Sequence, residues 1–210
     1  MIRSSVFSQE SSITIPSCLG GLEALIGAGD PGTCVVLCAP HPHFDGTMYN
    51  KVVATATKTC IDFGLSTVRF NYRGVGASKG ILPTYAGATQ DVVFVLDFIT
   101  KKGFKKFLWL GFSYGSYVAA YGSGLTNSLA LITIAPSVAN MPYHDLPDIT
   151  CPWHMLQGMQ DEVIDIKANI DLAKQVGCSV HEFQDTGHFF HGKLSVLRET
   201  LATIIAETTR

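Results

Sequence analysis

Short β-rich runs and longer amphipathic runs alternate along almost the whole chain, and this alternation narrows the fold more than any single motif. A strand buried on both faces needs a continuous apolar run, and a parallel neighbour can be reached only through a long crossover, usually a helix. The run 33–39 reads as a buried strand of this kind, and the β-rich runs at 66–72, 107–110, 129–134, 153–157 and 179–183 read as further strands. Helical patterns at 48–63, 84–101, 116–121, 165–176 and 193–207 alternate with them. In the second of these, Val92, Val93, Leu96 and Ile99 form an apolar stripe, with Asp91 and Lys101 off it. Two earlier runs, 12–15 and 21–26, read as an antiparallel pair of strands. The expectation is an α/β fold: a mostly parallel central sheet with helices on both faces. No repeat, low-complexity tract or linker interrupts residues 1–210, so one domain is expected.

Composition removes several classes of function. Apolar residues make up 47% of the chain and charged residues 15%, which argues for a packed core rather than disorder. A formal net charge of −2 supplies no attraction to nucleic acid or to an anionic membrane. No apolar run approaches the roughly 20 residues of a membrane span. The opening MIRSSVFSQESS lacks the apolar centre of an export signal. The six cysteines (Cys18, Cys34, Cys38, Cys60, Cys151 and Cys178) show no C-x-x-C spacing, and most lie in apolar surroundings where a thiol acts as a small core residue. A reducing, cytoplasmic setting is expected.

The chemistry concentrates where the run Phe107-Leu108-Trp109-Leu110 ends in Gly111-Phe112-Ser113-Tyr114-Gly115 and passes into a helical pattern. A serine at the apex of so sharp a strand-to-helix turn presents its hydroxyl above the sheet. Its strained backbone requires small residues two places before and two after, and Gly111 and Gly115 meet that need. The helix that follows aims free N–H groups at the place where an oxyanion would form. G-x-S-x-G alone is a weak signal, since a solvated serine in a glycine-rich turn looks the same; Gly122-Ser123-Gly124 reads as such a turn. What strengthens Ser113 as a nucleophile is the acid and the histidine that follow it.

The run 153–157 continues into Gly158-Met159-Gln160-Asp161. A carboxylate just past the C-terminal end of a strand projects into the crevice where such sheets hold ligands, so Asp161 is the candidate to orient a histidine. Its plain alternative is a turn or helix cap, and Glu162 and Asp165 compete with it nearer the next helix. The last strand leads to Thr186-Gly187-His188-Phe189-Phe190-His191. By position His188 is preferred over His191, which falls in the first turn of the helix. A neutral imidazole can take the serine proton, and a buried carboxylate fixes its tautomer.

Acyl transfer also needs two N–H donors at the attacked carbonyl. One is assigned to Tyr114, next to the serine; the other to the loop Pro40-His41-Pro42-His43-Phe44-Asp45-Gly46-Thr47 after the strand 33–39. Pro42 cannot donate, which leaves His43 or Phe44. His41 and His43 form an H-x-H pair, but no third ligand follows at metal spacing, and a structural role for the His41 ring is preferred; no metal is expected. Residues 71–80 (NYRGVGASKG) fail the dinucleotide fingerprint by one place and contain no phosphate-loop G-K-[ST], so no cofactor is expected and Arg73 reads as an internal anchor of a turn.

Taken together, Pro40-His41-Pro42 with Gly46-Thr47-Met48 and Asn50-Lys51-Val52-Val53, the NYRGVGAS stretch, GFSYGSYVA, QGMQDEV and GHFFHGKL resemble a family of small bacterial α/β-hydrolases, distantly similar to dienelactone hydrolases and acylpeptidase-type catalytic domains. The resemblance implies an α/β-hydrolase fold with about eight strands, a Ser113/Asp161/His188 triad, and His188 rather than His191 as the base. Departures fall at His43 and Asp45, where the family usually carries a small apolar residue and a glycine. A cap domain, which in this fold follows the sixth strand, has only residues 136–150 to use, too few to form one. The expectation is therefore a serine hydrolase with an open site for a small-molecule ester or thioester, with Phe44 and Phe189, and further Tyr114, Met141, Tyr143 and Phe190, as an apolar wall. Amide cleavage and a non-catalytic binding module on the same scaffold are the alternatives.

Overall fold

The computed structural model describes residues 9–209; residues 1–8, which open the stretch read above as lacking an export signal, lie outside that range. The chain begins with a hairpin of β1 (Glu10–Ile15) and β2 (Leu22–Gly27), antiparallel as expected. Then follow β3 (Asp30–Cys38), α1 (Lys51–Asp62), β4 (Leu65–Phe70), α2 (Tyr85–Lys101), β5 (Lys106–Phe112) and α3 (Tyr114–Gly124). The last third adds β6 (Ser128–Ile134), β7 (Trp153–Gly158), α4 (Ile166–Val176), β8 (Ser179–Phe183) and α5 (Leu194–Thr208). All eight strands form one sheet in the order β1-β2-β4-β3-β5-β6-β7-β8, parallel from β4 to β8 and antiparallel on both sides of β2.

Side-chain alternation along the strands divides the core into two layers. Cys34, Val36, Phe107 and Trp109 pack on the face covered by α2 and α3. Val35, Leu37, Leu108 and Leu110 pack on the opposite face, under α1 and α5. Because β3 is flanked by β4 and β5, the chain leaves β3 in one direction and later returns on its other side. The carboxyl ends of β3 and β5 thus border the crevice where an open α/β sheet places its chemistry. Between β6 and β7 the connection holds only two short 3-10 turns, Val138–Asn140 and Tyr143–Asp145, and no cap domain.

Several local expectations are corrected. Helix α1 starts at Lys51, not at residue 48, because the Asn50 carboxamide accepts the Val52 N–H at 2.9 Å and caps it there. Met48 instead lies in a turn closed by the Asn50 N–H on the Thr47 carbonyl, its own N–H held by Asn71 and its carbonyl by Arg69. In α2 the buried stripe runs Ala88, Val92, Val95, Ile99, and Val93 is exposed. Asp91, placed off the stripe, is fully buried and grips both the backbone N–H and the guanidinium of Arg73. Gly122-Ser123-Gly124 is the end of α3 rather than a turn. Gly122 is small there because a Cβ would collide with the Trp109 indole. Arg73 anchors its turn as expected.

The six cysteines are free: Cys34, Cys38 and Cys60 are buried, Cys151 and Cys178 half-buried, and Cys18 exposed. Burial pushes the thiols of Cys34 and Cys60 up to about 12. No described helix is long and apolar enough to cross a membrane.

Candidate active site

Ser113 sits between the last residue of β5 and the first of α3, with φ 54° and ψ −120°. That left-handed φ is strained for any residue with a Cβ, and it lifts the side chain out of the turn. Three contacts hold it. The Ser113 N–H donates to the Ile134 carbonyl at 2.8 Å, tying the turn to β6. The Ser116 hydroxyl, inside the first turn of α3, reaches the carbonyls of Gly111 at 2.9 Å and Ile134 at 3.2 Å. Gly111 and Gly115 lie in direct backbone contact, and Gly115 also lies against the carbonyls of Cys38 and Ala39 at the end of β3, so neither has room for a Cβ.

Asp161 follows β7 by three residues, and His188 follows β8 by five. Their loops are stitched together: the Met159 N–H donates to the Phe183 carbonyl at 3.0 Å and the Gln160 N–H to the Thr186 carbonyl at 2.9 Å. Gly158 permits the approach, since a Cβ there would stand 2.5 Å from the Thr186 carbonyl oxygen. Asp161 Oδ1 accepts the N–H groups of Val163 and Ile164 at 2.9 and 3.1 Å, which fixes the carboxylate plane. Its other oxygen, Oδ2, lies 2.8 Å from His188 Nδ1, and His188 Nε2 lies 3.0 Å from Ser113 Oγ. All three side chains are buried, and the imidazole is packed between Phe112 at 5.2 Å and Phe189 at 5.0 Å, centroid to centroid. Glu162 is exposed, Asp165 caps α4, and His191 is exposed in the turn ahead of α5 rather than inside its first turn.

The loop after β3 is a 3-10 turn, Pro42–Phe44, ending at Asp45 with φ 55°. The Tyr114 N–H opens α3 and has no intrahelical partner. Of the two candidate donors on the loop, the Phe44 N–H is bonded to the His41 carbonyl at 3.1 Å, and the His43 N–H to His41 Nδ1 at 3.2 Å. The second bond requires an unprotonated Nδ1. Burial, then the nearby His43, lowers the affinity of the His41 ring for a proton, in keeping with that role. His41 also packs on Tyr114 at 4.7 Å, and His43 Nε2 lies 3.2 Å from the Pro83 carbonyl. Among the described residues no group of three or more His, Cys, Asp or Glu could hold a metal ion.

The expected apolar wall is only partly present. Phe44 is 82% exposed and packs on His41 at 4.9 Å, and Phe189 is 43% exposed and packs on His188 at 5.0 Å, so both offer ring surface. Phe190 turns away at φ 52° and is buried against Phe183 under α5. Tyr143 is buried between Tyr117 and Trp153. Tyr114 is buried as well, its hydroxyl without a partner among the described residues. Sequence reading missed the Val163 and Ile164 amides and the Ser116 hydroxyl; a serine three places after Ser113 was the available signal for the latter.

The chain is similar to several known proteins. An α/β serine hydrolase homologue from Coxiella burnetii is 34% identical, with 93% of this chain and 97% of that one covered and a TM-score of 0.84. An α/β serine hydrolase without a lid from Xanthomonas campestris is 27% identical, covers 95% of both chains and has a TM-score of 0.87. An uncharacterised protein of Rickettsia prowazekii is 29% identical over 143 residues, a match spanning 65% of this chain and 60% of that protein. No family model matches the chain. On this similarity the chain belongs to the α/β serine hydrolases, and it shares its architecture with a member that lacks a lid.

Proposed function

We propose that the protein cleaves small carboxylic esters or thioesters through an acyl-enzyme, with residues 1–210 acting as one catalytic domain. The observation that carries this reading is the unbroken chain of contacts from Asp161 Oδ2 through the imidazole of His188 to Ser113 Oγ. As Ser113 Oγ bonds to the carbonyl carbon, its proton passes to His188 Nε2, and the Asp161 carboxylate stabilises the imidazolium. The carbonyl oxygen becomes an oxyanion held by the Tyr114 and His43 amides. His43 is preferred over Phe44 because its N–H is bonded to a side-chain nitrogen, which an oxyanion can outcompete, whereas the Phe44 bond builds the 3-10 turn itself. His188 then returns the proton to the leaving oxygen or sulfur, the tetrahedral centre collapses, and that group departs. Water, deprotonated by the same imidazole, attacks the acyl-serine, and collapse releases the carboxylic acid and restores the hydroxyl.

The short connection between β6 and β7 leaves the site uncapped, which favours short or soluble acyl groups; Phe44 and Phe189 supply the apolar contact. Hydrolysis of p-nitrophenyl esters from acetate to palmitate tests the reading. Turnover that is highest on the short esters and abolished by Ser113→Ala is expected. Preference for long chains contradicts the open site, and the absence of any serine-dependent turnover contradicts the hydrolase assignment to these residues.

A further inference from the structure

A cavity of about 320 Å³ lies between the segment Asp45–Val52 and the turn that follows His188, and Phe189, whose ring touches that of His188, is part of its lining. Its place relative to the proton transfer gives it a role, on the reading of Ser113 and His188 set out above. The leaving oxygen must come within hydrogen-bond reach of His188 Nε2 to receive its proton, so the group attached to that oxygen extends towards the residues after His188. Phe189 and His191, which line the cavity, are those residues. Their rings are stacked at 5.7 Å with 26° between planes, and Phe189 meets the His188 ring edge-on at 5.0 Å.

The cavity has an apolar side at Leu194 and a polar rim at Asp45, Thr47 and Lys51. Among the described residues neither Asp45 nor Lys51 takes part in an ion pair. Asp45 keeps its carboxylate at φ 55°, a conformation that glycine adopts with less strain. A rim with one carboxylate and one ammonium suits a ligand that both donates and accepts hydrogen bonds without net charge. A hydroxyl does both. An alkyl chain would displace water from the two charges and return nothing. A cation would gain at Asp45 and lose at Lys51, and an anion the reverse. The volume is at the lower end of ligand cavities, which run from about 300 to 1,000 Å³, so the group is small.

We propose that this cavity is the leaving-group subsite and that it selects acyl esters of small, uncharged polyhydroxy alcohols. The test compares kcat/KM, by titration of released acid, for acetate esters of glycerol, n-butanol, choline and glycolate. The unaltered protein is expected to prefer the glycerol ester over the butyl ester about tenfold, the worth of one to two exposed hydrogen bonds. The double variant Asp45→Gly/Lys51→Met, checked for folding by its thermal midpoint, is expected to bring that ratio close to one. Equal rates on all four esters, or preference for the butyl, choline or glycolate ester, overturn the subsite in the unaltered protein alone, whatever the variant does. Failure of all four esters together with no serine-dependent fluorophosphonate adduct overturns the hydrolase reading itself, and the subsite with it.

Discussion

The Ser113 hydroxyl stands 3.0 Å from Nε2 of His188, although 75 residues separate them, and Nδ1 of the same ring stands 2.8 Å from Asp161. The ring therefore has one nitrogen for the carboxylate and one for the hydroxyl, and the order of protonation decides whether it can act as a base.

Asp161→Asn tests that order. The carboxamide can keep its oxygen on the Val163 and Ile164 amides, where Oδ1 now lies. Its NH2 then points at His188 Nδ1 and favours the tautomer protonated on Nε2, which cannot accept the serine proton. A fall in kcat of about 10⁴ is expected, with the fold intact. Steady-state kinetics alongside a thermal melt check it, and a fall below tenfold in a folded variant would contradict the role.

Gly122→Ala sets helix propensity against packing. In an exposed helix the change would add about 1 kcal/mol of stability. Here the new methyl meets the Trp109 indole, which is pinned by a 2.9 Å bond from its Nε1 to Thr126. Net destabilisation of about 1–3 kcal/mol in urea unfolding is expected.

Arg69 and Glu10 form a pair with side-chain exposures of 0% and 1%, joined at 2.9 and 2.6 Å. Arg69→Met leaves the glutamate charged, buried and unpaired, at a cost of about 3–5 kcal/mol. Adding Glu10→Leu removes that charge, so the double variant is expected to regain at least half of the loss. A double-mutant cycle by urea unfolding measures the coupling.

The pH dependence of stability is set in part by His154 and His181, whose Nδ1 and Nε2 lie 3.2 Å apart across β7 and β8. Burial depresses both below their ordinary 6.5; His181 depresses His154 further, and Glu207 opposes the shift in each. The unfolded chain thus takes up protons that the folded protein resists. Their contribution is complete above about pH 6.5 and is lost as pH falls towards the folded values. Urea unfolding between pH 7.5 and 5 is expected to show a shallower loss for His181→Gln than for the unaltered protein. Equal slopes would contradict the assignment.

Much of this was legible in the sequence because it lies where strands end. Ser113, Asp161 and His188 each follow a strand-like run, and a parallel sheet brings the carboxyl ends of such runs to one edge. What was not legible depends on contacts between elements. Asp91 looked like a solvent-facing residue of α2 because periodicity cannot show that Arg73 arrives from another loop to pair with it. Phe189 and Phe190 are adjacent and alike, yet one faces the site and the other the core; the difference is the left-handed φ of Phe190. The Gly122-Ser123-Gly124 run carries turn chemistry but is held helical by its fit against Trp109.

The central claim is most directly tested by treating the protein with a fluorophosphonate and mapping the modified peptide by mass spectrometry. A single adduct on Ser113, absent in Ser113→Ala and formed far more slowly in His188→Ala, is the predicted result. No adduct, or one that persists in Ser113→Ala, would contradict the account.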